Sequence, residues 1–403
     1  MMMRKIANLL LLRQAGPLLL LLTLLLFVLS ACASNSGIFA GGSWQASGLQ
    51  NQHLQVLAVD PNHLQHIYAG DAQSGVFVST DAGLFWKQSS VGLPLPTAIS
   101  ALSFDIPGKK LYAATAAGLF ISSDAAATWS MVTNLPSDAY TALTFDVNAP
   151  QTVYTGTSHS GVFKSTDGGM HWASISSGLP ANALTSLLYN SNQKQLWAAF
   201  ADRVYRSDDN GANWHLMSNG LPTNVGINTL ALSSSTLNNA DLIFAGTEHG
   251  FYLLTDAGQH WAQSQSPLAS LHISAVLPDA TQPKVVYIAT QIGVLRSQDN
   301  GQNWDRLATG IPTNQPITSL VQGNANNAQL FATSHGIYFY PGSGGVSNPA
   351  QFIPILLVVF FFGLMYWFFV ARPRKRRRMV SWQATNLEET NEQDTPSSDE
   401  KEL

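Results

Sequence analysis

Ser165-Thr166-Asp167-Gly168-Gly169-Met170-His171-Trp172 decides the fold, because this stretch returns along the whole middle of the 403-residue chain. Ser79 to Trp86 repeats it around Asp81, Ser122 to Trp129 around Asp124, and Ser207 to Trp214 around Asp209. Leu254 to Trp261 follows with Asp256, and Ser297 to Trp304 with Asp299. The Ser122 copy carries Ala126 in place of the usual Gly, and the Leu254 copy lacks the leading Ser. Self-similarity of this kind marks an array of like units, none of which can bury its apolar face alone.

The surroundings of each copy share one grammar. Around the Ser122 copy, Ala98 to Phe104 alternate as a buried strand, and Lys110 to Ala114, Gly118 to Ser122 and Thr128 to Val132 follow as three more. Four short antiparallel strands are expected per unit, with the repeated motif in the tight connection between the third and fourth. There an Asp side chain accepts hydrogen bonds from the turn's own N–H groups, and Gly supplies a left-handed backbone angle. The Trp beyond the turn buries its ring against the neighbouring unit. The spacing is thus explained without a ligand.

Counting follows from the tryptophans that open the outer strands: Trp44, Trp86, Trp129, Trp172, Trp214, Trp261 and Trp304, which make seven units. A Gly-Leu-Pro-like turn comes shortly after most of them, as in Gly92-Leu93-Pro94, Gly178-Leu179-Pro180, Gly220-Leu221-Pro222 and Gly310-Ile311-Pro312. No copy of the motif precedes Trp44. Conversely, the last unit supplies Ile317 to Gln322, Gln329 to Thr333 and Gly336 to Tyr340, then reaches Pro341 where the motif should stand. The two part-units complete one another, so the strand near Trp44 is predicted to lie beside the strand near Tyr338. Closure of this kind removes the exposed edges of an open array.

The pattern S/T-x-D-x-G-x-x-W resembles the Asp-box, or BNR, repeat of sialidases, xyloglucanases, sortilin-like receptors and photosystem II assembly factors. The resemblance covers residues 43 to 340 and implies an all-β fold: a single seven-bladed β-propeller with four-stranded antiparallel blades. On this reading Asp81, Asp124, Asp167, Asp209, Asp256 and Asp299 are architecture.

The ends read differently. Residues 1–31 have the form of a lipoprotein-type signal peptide, with Arg4, Lys5 and Arg13 ahead of an apolar run that closes on Leu29-Ser30-Ala31-Cys32. The last four residues resemble a bacterial lipobox, which implies cleavage before Cys32 and acylation of its thiol; the alternative is an uncleaved signal anchor. Cys32 is the single cysteine, so an internal disulfide and a multi-cysteine metal site are excluded. Residues 32–42 form a linker, 43–341 the propeller, 342–351 a second linker, and 352–371 an uncharged stretch about long enough to span a bilayer as a helix. Arg372, Arg374, Lys375, Arg376, Arg377 and Arg378 follow it, a flank that stays in the cytoplasm and so leaves the propeller outside. The acidic remainder to residue 403 is expected to be disordered. A bacterial cytoplasmic membrane, reached through a lipid anchor and one spanning helix, is the expected location.

Successive strands run up and down, so the Asp-boxes share a face with the first-to-second turns, where Asp60, Asp105 and Asp146 lie. The second-to-third loops and the Gly-Leu-Pro connections build the opposite face. Candidate ligand-binding residues there are Asp71 and Ser74, Ser158 and His159, Asp202 and Arg203, Glu248 and His249, and Ser334 and His335. The plain alternative is that they are solvated loop polars. His159, His249 and His335 occupy equivalent loops, but seven-fold repetition separates the blades, and no metal or cofactor is expected.

Charge and composition narrow the function. Charged residues make up 11% of the chain and its formal net charge is −4, which does not suit nucleic-acid binding. A sialidase needs three clustered arginines, whereas the propeller holds Arg203, Arg206, Arg296 and Arg306, and Arg206 and Arg296 fill the slot before the Asp-box that Lys164 fills elsewhere. A xyloglucanase-like enzyme would set two carboxylates across a cleft between two propellers, and Glu248 is the sole glutamate of this one. The expected function is a non-catalytic scaffold for another protein or a cell-envelope glycan, of unspecified oligomeric state. The alternatives are a photosystem II assembly factor-like protein and a glycoside hydrolase; pairing of Asp71 with Asp202 or Glu248 across the channel is the arrangement that would favour the hydrolase.

Overall fold

The computed structural model describes residues 43–233, 241–255, 259–264, 268–312, 315–323 and 330–341. The signal segment, Cys32, Asp256, the linkers outside these ranges, the expected spanning segment and the tail lie outside the described residues. The chain partitions into Met1–Ala350 and Gln351–Leu403, and every described residue belongs to the first unit. Among the described residues no helix is long and apolar enough to cross a membrane.

The described strands form seven four-stranded antiparallel sheets. In blade two they are Ile99–Phe104, Leu111–Thr115, Gly118–Ser122 and Ser130–Met131, in that spatial order. Blades one and three to six repeat this order, and each blade's second strand is buried along its length save for a half-buried first residue, Gln195 or Leu242, in blades four and five. Apolar layers lie between neighbouring blades, which is why both faces of every sheet are hydrophobic. One layer sets Trp44 and Ile317 against Tyr287 and Val294, and another sets Phe331 and Phe339 against Leu54 and Ile67. Tapering toward the axis leaves little room, so the inner strand's Ile99 packs directly on Gly70 of the preceding blade.

Blade seven is made from both ends of the described chain. Gln45–Ala46 pairs with Ile337–Tyr340 in the register Gln45↔Phe339 and Ala46↔Tyr338, as expected from the missing Asp-box before Trp44. Each inner strand lies beside that of the next blade, and the last, Ser319–Gln322, meets the first, Leu54–Val59. Thr318 Oγ1 donates to Leu54 O at 2.9 Å and Leu57 N to Ser319 Oγ at 3.2 Å, closing the ring.

Five Asp-boxes are described and they share one network. In blade three, Ser165 Oγ donates to Asp167 Oδ1 (2.8 Å), Gly169 N donates to Ser165 Oγ (2.9 Å) and His171 N to Asp167 Oδ1 (2.9 Å). Two successive residues take the left-handed conformation, not one: Ala125 at φ +57° and Ala126 at +68° do so in blade two, Asn210 and Gly211 in blade four. The absence of Gly at 126 is therefore a tolerated strain. Most Asp-box tryptophans reach across to the preceding blade, as Trp129 Nε1 to Ser89 O (2.9 Å) and Trp261 Nε1 to Met217 O (2.7 Å), whereas Trp172 Nε1 stays on its own turn at Gly169 O (3.0 Å).

Candidate functional site

Hydrogen bonds sort the loops onto two faces. On one, the Asp-box turn joins its own blade's first-to-second connection, as Ala82 N to Gln65 O and Gly168 N to Gln151 O, both 2.9 Å. Asp60, Asp105 and Asp146 cap those connections, with Asn190 and Asp279 doing the same in blades four and six. On the other face, the second-to-third loop is tied to the exit of the outer strand: Val76, Val162 and Val204 donate their N–H to Ser90, Ser176 and Ser218, each two residues before the Gly of a Gly-Leu-Pro turn. The candidate residues all lie on this second face.

The end of the second strand governs each of these loops. Thr115, Thr157, Thr247 and Thr290 stand there, and each Oγ1 donates to the glycine carbonyl that closes the loop, at 2.7–3.0 Å. Nothing within a single repeat marks these threonines; aligning the repeats on the following Gly brings them out. Three blades depart from the rule. Blade seven has Ser334 at this place, its N–H donating to Gly336 O at 2.9 Å while its hydroxyl turns to Gln315. Phe200 replaces Thr in blade four and meets the Tyr205 ring edge-on at 5.7 Å. Asp71 replaces it in blade one, where Oδ1 accepts from Gln73 N (2.9 Å) and Ser74 N (2.7 Å). Asp71 is 2% exposed, and its Oδ2 is buried with no hydrogen-bond partner among the described residues.

Elsewhere the candidates are held mainly by their own blades. His159 is 82% exposed, yet its N–H and Nδ1 both bind the buried Asp138, at 3.0 and 3.1 Å. Burial alone would raise Asp138, but hydrogen bonds from His159 and Ser160 outweigh it and hold the carboxyl well below the usual range. Asp202 pairs with the adjacent Arg203 at 3.6 Å, and Glu248 accepts from Gly226 N at 3.3 Å. His249 donates its N–H to Thr247 Oγ1 (3.1 Å), and Ser334 Oγ to Gln315 Oε1 (3.2 Å). His335 crosses between blades, meeting the His53 ring edge-on at 5.2 Å, and Ser74 bridges to Thr97 at the entry of blade two. No hydrogen bond, ion pair or ring contact among the described residues joins Asp71, Asp202 and Glu248 to one another.

The basic slot before the Asp-box is structural as well. Lys164 lies over the Tyr154 ring, and Arg206 over Trp197 while pairing with Asp208 at 3.0 Å. Repeated network, split blade and closed ring together decide the assignment. This is a seven-bladed Asp-box β-propeller.

No protein-family model matches the propeller chain. A segment is 34% identical over 155 residues to the "Probable oligoxyloglucan-reducing end-specific xyloglucanase" of Neosartorya fischeri, covering 34% of this chain and 19% of that protein. The match thus spans about a fifth of that relative's length. Among solved structures, YCF48 bound to a D1 peptide superposes on the propeller with a TM-score of 0.57 at 15% identity, over 73% of this chain and 95% of that one. The GH74 xyloglucanase from Xanthomonas campestris does so with a TM-score of 0.56 at 15% identity, over 74% of this chain and 53% of that one. Likeness at this level concerns the fold, and function has to be argued from the site.

Proposed function

We propose that this propeller is a non-catalytic binding module whose second-to-third loop face takes a protein segment or a cell-envelope glycan. The carrying observation is that Asp71, Asp202 and Glu248 come from three blades and that each is bound within its own blade, Asp71 and Asp202 inside their own loops and Glu248 to Gly226 at the entry of blade five. Glycoside hydrolysis needs two carboxyl groups facing one bond at about 5–9.5 Å, and among the described residues no hydrogen bond or ion pair draws two of these three carboxylates together. The likeness to a propeller solved with a bound peptide supports a peptide as one class of ligand. Cys32 and the apolar stretch from Phe352 to Ala371 support anchoring at a bacterial cytoplasmic membrane with the propeller outside.

One specific observation favours a hydrolase as the second reading, namely the segment 34% identical to a xyloglucanase. The full chain, extracted from membranes, is to be assayed on xyloglucan oligosaccharides and sialosides beside the Glu248→Gln and Asp202→Asn variants. No turnover above background is expected from any of them. Turnover lost in either variant would overturn the binding-module reading, and a chain that fractionates as soluble would overturn the anchoring.

A further inference from the structure

The first-to-second turn of blade one differs chemically from its counterparts. Asp60 N donates to His66 O (3.0 Å), His63 N to Asp60 O (3.2 Å) and His66 N to His63 O (2.7 Å). Blade three makes the same three bonds with Asp146, Ala149 and Thr152, at 3.2, 3.2 and 2.7 Å. Blade six keeps the matching pair, Asp279 N to Val285 O and Val285 N to Gln282 O. The backbone of this turn therefore forms without histidine, yet blade one places histidine at both variable slots.

Their side chains converge. Asp60 commits Oδ1 to the N–H groups of Asn62 and His63. Its Oδ2 stands 3.1 Å from His63 Nδ1 and 3.8 Å from His66 Nδ1. The two imidazoles are stacked at 5.0 Å with 20° between their planes, and one ligand atom from each of the three residues lies within 4.8 Å of the others. Ligand atoms of a tetrahedral zinc site with bonds of about 2.0–2.1 Å stand about 3.3 Å apart, and the two Asp–His separations bracket that figure. Asp60 is 8% exposed, His66 30% and His63 66%, so the set is anchored at its base and open to water on top. Asn62 Nδ2 donates to Pro107 O at 2.8 Å and fixes the turn against blade two.

We infer that Asp60, His63 and His66 form a site for a zinc-class divalent transition metal on the Asp-box face of blade one. Two imidazole nitrogens with one carboxylate oxygen suit zinc, cobalt, nickel or copper; a single protein oxygen is too few for calcium. Three protein ligands leave a coordination position facing solvent, where water or an external donor group binds.

The test titrates the full-length protein with Zn2+ and, separately, Co2+, beside a His63→Ala/His66→Thr variant. That variant copies blade three's residues and keeps the turn. One saturable equivalent is expected in the unsubstituted protein, with the intense visible bands of four-coordinate Co2+ and a higher Tm in the presence of Zn2+. The variant is expected to keep the metal-free Tm, lose the Co2+ bands and weaken Zn2+ binding at least about tenfold. Absence of a saturable equivalent, or equal binding and equal bands in the variant, would overturn the site. Asp60→Asn provides an independent arm: it keeps an acceptor for the turn, and unchanged affinity there would count against the carboxylate as a ligand.

Discussion

In four of the five described Asp-boxes the aspartate closes its turn through one oxygen and orients the side chain before the tryptophan through the other. Asp209 accepts from Asn213 N through Oδ1 and from Asn213 Nδ2 through Oδ2, both at 2.8 Å. Those two bonds, with one from Ser207, lower its pKa to about 2. A depressed carboxyl contributes stability that is fully present above its unfolded value of about 3.9 and is lost as pH falls through the folded value. Asp209→Asn should therefore lower the Tm at pH 7, and the gap should narrow between about pH 4 and pH 2; a gap that does not change with pH in thermal melts would contradict the role. The Asp-box residues were legible because each copy repeats the same donors and acceptors. His63 and His66 were not, because they break the repeat at single positions, and Asp71 stood out as a loop residue without its buried place at the end of the second strand. His159 was singled out without its partner, since Asp138 sits 21 residues earlier and only the folded loop joins them.

Each blade depends on an outer strand of only two residues in most cases, too short to show alternation, so tryptophan was the signal that located it. The Gly of the Gly-Leu-Pro turn explains how that strand is seated. A Cβ on Gly220 would lie 2.1 Å from the carbonyl oxygen of Trp261 in the next blade, and one on Gly92 would lie 2.1 Å from that of Trp129. Gly178 has the same positive φ, +90° against +93° at Gly220, but nothing within 4 Å of its Cβ position. The pair separates conformational strain from steric overlap. Gly178→Ala is expected to cost about 1 kcal/mol and Gly220→Ala about 2–3 kcal/mol in denaturant unfolding; equal losses would show that blade stacking does not set the requirement. The turn is legible in the sequence but this contact is not, because it joins residues about 40 positions apart through backbone atoms that every sequence shares.

At the scale of the whole molecule, ring closure makes the two faces distinct and gives each a separate chemistry. One face carries the Asp-boxes and the Asp60, His63 and His66 turn; the other carries the second-to-third loops, four of them governed by Thr and one by Asp71. Seven blades, their order and the joining of the ends were legible because tryptophans can be counted and a missing Asp-box at one end matches a missing strand at the other. Whether loop residues of different blades meet was not legible, since a repeat fixes position around the axis but not side-chain direction. The closure is tested most directly by an Ala46→Cys/Tyr338→Cys pair in a full-length Cys32→Ser background, because antiparallel partners stand at separations that a disulfide spans. Mild oxidation should give an intramolecular disulfide, detected by mass and by non-reducing gel mobility, and should raise the Tm relative to the reduced form. Disulfides found only between chains, or free thiols throughout, would place Trp44 and its strand elsewhere and contradict the seven-bladed ring.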